Sequence, residues 1–298
     1  MRDYRFGFNL RDTTSPADLR ETCRTAEEFG YDAVLVPDHL GKDCPSPFPT
    51  MVAAAAATER MRVGSFVLNI GFWNPAVLAR DVAATDLLTG GRLDLGLGVG
   101  YMKSEFDAAG IPWQPFAERV DRLERTLDEL DRLFSPDAPD GYRTAQHPRP
   151  PVLIAGGSDR VLKLAAKRAD IVGHTAIWSV KGKPPGTLRT GSHEEFAERV
   201  RFFQEQAGDR LAEIEVNFLI QAVVVADDRR AAAEKVVAER NLELTAQQLL
   251  DAPTILIGTL DQIAEQVADH RERYGITYFS VHEPYMRTFG PVIKMLRS

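Results

Sequence analysis

The sequence predicts an α/β fold: a single (β/α)8 TIM barrel with insertions, occupying residues 1–298 as one domain. Three observations carry this. Eight short apolar runs alternate with longer stretches whose apolar residues recur at helical spacing. Most of the short runs are apolar throughout, as in parallel strands buried on both faces. The 298 residues suit such a barrel, which needs about 250. A doubly wound open sheet is the main competitor, but its nucleotide loop would follow the first strand, and residues 8–19 hold no glycine.

The elements follow in order. Strand one is read at 5–10, then a helix at 17–30 with Ser15 as N-cap and Gly30 as stop. Strand two is read in 32–40, ended by Pro37, and a helix covers 48–60. Strand three is 62–70, with a proline-initiated helix at 75–91. Strand four is 92–98 and its helix 116–134. Strand five is 150–157 and its helix 159–169; strand six is 170–176. The Gly/Pro/Lys-rich stretch 178–192 reads as a long surface loop inserted near the barrel mouth. A helix at 193–208 leads to strand seven at 213–227, then helices at 229–240 and 245–250. A helix at 259–275, strand eight at 276–284 and a last helix at 291–298 close the chain. The apolar segment 254–258 is an extra short strand outside the count.

Apolar residues make up 44% and charged residues 27%, and the net charge is −7. That balance provides no electrostatic grip on nucleic acid or an anionic membrane. No apolar run reaches the ~18 residues of a membrane span, and the N-terminus lacks the apolar run of a signal peptide. A cytoplasmic protein acting on a small-molecule substrate is expected, with Cys23 and Cys44 as reduced thiols.

Barrel active sites lie at the C-terminal ends of the strands. Those ends hold Asn9, Asp38, His39, Ser65, Gly98, Gly100, Tyr101, Gly156, Gly157, Ser158, His174 and His282. The run Gly96-x-Gly98-x-Gly100 fails as a dinucleotide fingerprint, because residue 101 is tyrosine and no long helix begins at once. Two readings stay open: glycines that leave space beneath a flat ligand, or glycines that permit tight packing. Gly156, Gly157 and Ser158, between a strand and a helix N-terminus, suit an anion such as phosphate. His39 is the best acid/base candidate, since imidazole titrates near neutrality. His147, His193 and His270 read as solvated. Asp38, His39, His174 and His282 are also a possible metal set for a barrel hydrolase, but strand one lacks a His-x-His pair, and no metal is expected.

The block GFWNPAVLARDVAATDLLTGGRLDLGLGVGYMKSEFDAAGIP (71–112), with GYDAVLVPDH before and PPVLIAGGSDRVLKLAAKRADIVG after, resembles the bacterial luciferase-like superfamily, closest to its actinobacterial F420-dependent oxidoreductases. The resemblance runs from strand one to IGTLDQIAEQV. It implies coenzyme F420 at the barrel mouth, with FMN as the alternative, and a homodimer. It implies that Asp38 and His39 approach the ring and that strand three carries a bulge with a non-prolyl cis bond, placed here at Ser65-Phe66. Gly98 and Gly100 would leave space at the ring edge. Gly156, Gly157 and Ser158 would hold the cofactor phosphate, and Asn9, His174 and His282 would face the substrate. Sugar-phosphate dehydrogenase members carry an acidic glutamate where this chain has Tyr101, which argues against sugar-phosphate oxidation and makes His39 and Tyr101 the catalytic candidates. Three functional readings follow: an F420-dependent hydride-transfer enzyme, a reduced-FMN monooxygenase, and a non-catalytic flavin-binding relative.

Overall fold

A computed structural model describes residues 3–11, 15–41, 44–239 and 244–297. Its strands are β1 (Arg5–Asn9), β2 (Ala33–Val36), β3 (Arg62–Ser65), β4 (Leu68–Asn69), β5 (Leu93–Gly98), β6 (Val152–Ala155), β7 (Ile171–His174), β8 (Ile177–Ser179), β9 (Leu188–Thr190), β10 (Glu215–Ile220), β11 (Ala222–Val225), β12 (Ile255–Gly258) and β13 (Tyr278–His282). The helices are α1 (Pro16–Phe29), α2 (Pro47–Ala57), α3 (Pro75–Leu88), α4 (Lys103–Ala108), α5 (Phe116–Phe134), α6 (Asp159–Arg168), α7 (His193–Ala207), α8 (Arg229–Glu239), α9 (Ala246–Leu250), α10 (Leu260–Tyr274) and α11 (Met286–Arg297).

The sheet is parallel and closes on itself. Its order is β3-β2-β1-β13-β10-β7-β6-β5-β4, and β3 also pairs with β5. Because β3 and β4 are two parts of one interrupted strand, this is an eight-stranded (β/α)8 barrel, as the alternating pattern predicts. Alternation along each strand sorts the side chains. Phe6, Phe8, Val34, Leu95, Ile154 and Phe218 face the helices, while Ala33, Leu35, Leu153, Ile171, Leu219 and Tyr278 pack inside the barrel.

The helix signals behave as their chemistry requires. Ser15 accepts the Asp18 N–H, and Gly30 takes the left-handed conformation (φ 97°) that ends α1 without a Cβ clash. Ser192 with Glu195 and Thr259 with Gln262 form capping boxes on α7 and α10. The floor of the barrel is ionic: Arg5 bonds Asp94 and Glu215, and Arg62 bonds Asp94. Burial alone would raise the Asp94 carboxyl, but the Arg5 and Arg62 guanidinium groups override it and hold it below the usual carboxylate range.

Four expectations need correction. Strand seven is two strands: β10 belongs to the barrel, while β11 leaves it and pairs in parallel with β12, the extra strand. Residues 178–192 are not all loop, since β8 and β9 form an antiparallel hairpin there. The last helix starts at Met286, with Pro291 inside it. Burial of Met286, Phe289, Val292 and Ile293 offsets the hydrogen bond that the proline forgoes. His270 is 3% exposed and His193 bonds the Tyr274 hydroxyl, so neither is solvated. Of the helix expected at 229–240, residue 240 lies outside the described residues, as does Ser298 of the last helix.

Candidate functional site at the barrel mouth

Three segments at the C-terminal ends of the strands converge at the mouth. The first follows β2. Asp38 is 8% exposed, and its Oδ2 accepts the Asn69 N–H at 3.0 Å and the Trp73 Nε1–H at 2.9 Å. Burial pushes this carboxyl up, while the two donors pull it back. Asp38, expected beside the ring, is thus a clamp that ties the end of β2 to β4. His39 follows, half-buried, with its ring turned toward the segment after β5.

The interrupted strand is the second segment. The bulge is present, and the cis peptide lies at Phe66-Val67, one residue beyond the expected Ser65-Phe66. Ser65 stays in register with Val36, and its hydroxyl donates to the Gly96 carbonyl and accepts the Gly96 N–H. That two-way bond keeps Ser65 in the wall, buried at 1%, rather than in the mouth. Phe66 turns inward to join Leu35, Leu153 and Leu219, with half-buried Val67 packed on that group.

The glycine run is explained by this bulge. A Cβ on Gly96 would overlap the Ser65 carbonyl oxygen, and one on Gly98 would lie 2.5 Å from Val67 Cγ2. At Gly100, φ is +72° and a Cβ would lie 2.6 Å from the Asn69 side chain. The Cβ positions at Gly98 and Gly100 are therefore taken by Val67 and Asn69, close packing that only glycine permits there.

After β5 comes the third segment. Arg119 of α5 donates to the carbonyls of Val99 and Gly100 and stacks 3.8 Å over Trp113, which fixes the chain entering α4. Tyr101, just before α4, and Glu105, in its first turn, both meet His39. Glu105 Oε1 is 2.7 Å from His39 Nδ1, and the Tyr101 hydroxyl is 3.5 Å from Nε2. Burial, with Glu105 adding to it, pushes the Tyr101 phenol above its ordinary value, so it is a hydroxyl donor at neutral pH. Glu105 is a functional candidate that the sequence does not single out.

On the opposite side, Ser158 Oγ caps α6 by accepting the Val161 N–H. The Trp178 indole from β8 fills the place that a Cβ on Gly157 or Gly191 would occupy, which docks the hairpin on this turn. A Cβ on Gly186, in the loop that joins β8 to β9, would come 3.9 Å from Met102, next to Tyr101. The inserted segment thus reaches from the Gly157 turn to the Tyr101 segment.

Asn9 and His282 are register partners on β1 and β13, and both face inward. His282 Nε2 is 3.1 Å from Gln221 Oε1, and burial, then Arg11, pulls its imidazole down to about 4. His174 is different. Ile171 and Gly173 face the barrel interior, so His174 points out, against Phe196 and Phe203 of α7. It is 3% exposed, its imidazole is pulled down to about 4 by burial, and it cannot face a substrate at the mouth. This also breaks up the proposed metal set, since His174 lies on the other side of the wall from Asp38, His39 and His282.

The model of the family described as luciferase-like monooxygenase matches residues 4–278. The chain is similar to an F420-dependent glucose-6-phosphate dehydrogenase of Amycolatopsis mediterranei, 35% identical over 52% of this chain and 52% of the relative. It therefore spans about half the length of that relative in the match. It is also similar to a protein of the same name from Kribbella flavida, 32% identical over 85% of this chain and 79% of the relative. In structure it resembles an F420-dependent secondary alcohol dehydrogenase solved with an F420-acetone adduct, with a TM-score of 0.76, 19% identity and complete coverage of both chains. Closed barrel, interrupted third strand and family model agree: the chain belongs to the luciferase-like monooxygenase family.

Proposed function

We propose that this protein is an F420-dependent oxidoreductase that transfers a hydride between the deazaflavin C5 and a small organic substrate. The reaction is reduction of a C=C, C=N or C=O bond, or alcohol oxidation in reverse. The observation that carries the reading is His39 at the barrel mouth, hydrogen-bonded to a buried carboxylate and beside the Tyr101 hydroxyl. When bound, a deazaflavin supplies a carbon centre that accepts or gives hydride and reacts poorly with oxygen. The residues fit such a ring. Phe66 and Val67 offer apolar surface at the bulge, and Ala155 and Gly173 keep the β6 and β7 ends small. The first turn of α6 leaves backbone N–H groups for a phosphate near Gly156, Gly157 and Ser158. His39 would take or return the substrate proton, and Asn9 and His282 would line the substrate side.

Names of relatives favour F420, while Tyr101 in place of the expected acidic glutamate argues for a substrate other than a sugar phosphate. The protein is read as a cytoplasmic homodimer on the family resemblance. Among the described residues no helix is long and apolar enough to cross a membrane. Parallel titration of the protein with oxidised F420 and with FMN tests the reading. Saturable binding of F420 is the expected result, and tight saturable binding of FMN alone would overturn it in favour of the reduced-FMN monooxygenase.

A further inference from the structure

We propose that Glu105 is the positioning residue that holds His39 in one tautomer, so that the Nε2 lone pair faces the mouth as acceptor for a substrate hydroxyl proton. This rests on the reading of His39 as the proton-handling group. An ionised carboxylate only accepts hydrogen bonds, so at 2.7 Å from Glu105 Oε1 the His39 Nδ1 must carry the proton. In the neutral ring Nε2 is then left as the base. Tyr101 agrees with this, because its protonated hydroxyl lies toward Nε2, the nitrogen that can accept. At 3.5 Å that contact is long, and Tyr101 is 43% exposed, so a substrate hydroxyl can take its place.

Glu105 is built to hold its position. It is 8% exposed, and the next residue, Phe106, is buried against Phe72 and Trp113. Arg119 pins the two carbonyls just before α4. Asp38, the sequence neighbour of His39, is committed to Asn69 and Trp73 and cannot take this role. In alcohol oxidation the substrate O–H bond breaks and an N–H bond forms at Nε2, while the hydride of the carbinol C–H bond would go to the oxidised deazaflavin of the proposed function, which is thereby reduced. The Nδ1–H bond is kept, and the positive charge on the ring faces the Glu105 carboxylate. Carbonyl reduction returns the same proton. A carboxylate behind the imidazole thus orients it and stabilises its protonated form, as in hydrolase triads.

The test is nitrogen NMR of ¹⁵N-histidine-labelled protein without cofactor or substrate, at alkaline pH where the ring is neutral. The His39 signals are assigned with His39→Asn. The expected wild-type spectrum has the proton on Nδ1 and an unprotonated Nε2. Glu105→Leu should release the ring into a mixture of tautomers, moving the Nε2 resonance toward its protonated position. Glu105→Gln, whose amide oxygen still accepts from Nδ1, should keep the wild-type tautomer, and so should Tyr101→Phe. A wild-type proton on Nε2, a mixed tautomer in Glu105→Gln, or an unchanged spectrum in Glu105→Leu would overturn the proposal. If the leucine variant does not fold, the wild-type and glutamine spectra decide. Failure of F420 to bind would remove the functional reading and leave this result standing. A wrong tautomer in a protein that binds F420 would remove only the role of Glu105.

Discussion

Replacing His174 by leucine should flatten the acid limb of this protein's stability curve. His174 is 3% exposed, among the aromatic rings of α7, and burial lowers its imidazole from 6.5 to about 4. The unfolded chain takes up a proton there below 6.5, whereas the folded chain does so only near 4. Stability therefore rises with pH across that window and is fully present above it. At pH 5 the single group makes the fold less stable than at neutrality by about 2 kcal/mol, from the ratio of the proton-binding terms of the two states. Leucine has nearly the same volume and removes Nε2, which has no partner in the structure. The variant should be at least as stable as wild type at pH 7.5. Urea unfolding at pH 5 and pH 7.5 reads the difference. The wild type should lose roughly 2 kcal/mol more than the variant on going to pH 5. His282, lowered to about 4 by burial and Arg11, leaves a residual slope in both proteins. An equal loss in the two proteins would show that His174 is not buried as a neutral ring, and the outward assignment of that strand position would fall.

Three further outcomes follow from the same geometry. Gly96→Ala forces a Cβ into the Ser65 carbonyl, so thermal unfolding should show a loss of about 3 kcal/mol or more; a loss under 1 kcal/mol would mean that the bulge is not packed on β5. Asp94→Ala leaves Arg5 and Arg62 without their shared carboxylate and should cost about 3–5 kcal/mol in urea unfolding at neutral pH. Trp178→Ala frees the hairpin from the Gly157 turn, so trypsin should cut after Lys181 about ten-fold faster or more, with little change in global stability; an unchanged rate would show that the indole does not dock it.

How far the sequence could be read depends on how local each signal is. The βα alternation and the cap at Ser15 are set by residues within one turn of each other, and those elements are found where expected; the caps at Ser158 and Thr259 are equally local. Partner choice is not local. Residues 213–227 look like one strand because both pieces are apolar, and only pairing with β13 or with β12 separates them. The same limit governs the site. His174 and His282 both end apolar strands, and in strands buried on both faces hydrophobicity does not reveal which parity points inward. Gly173, whose Cβ would meet Ala155 and Phe66, marks the inner face of β7, and Ser280 marks that of β13; one step along from Gly173 the parity sends His174 out, and two steps along from Ser280 it sends His282 in. The glycines at 96, 98 and 100 were visible as a motif, but their cause is a bulge on a neighbouring strand about thirty residues earlier in the chain. His39 could be singled out by residue type alone. What makes it chemically specific is Glu105, 66 residues away in sequence and 2.7 Å away in space. Sequence patterns thus supply the scaffold and the candidate imidazole, and the third dimension supplies the carboxylate that meets one of its two ring nitrogens.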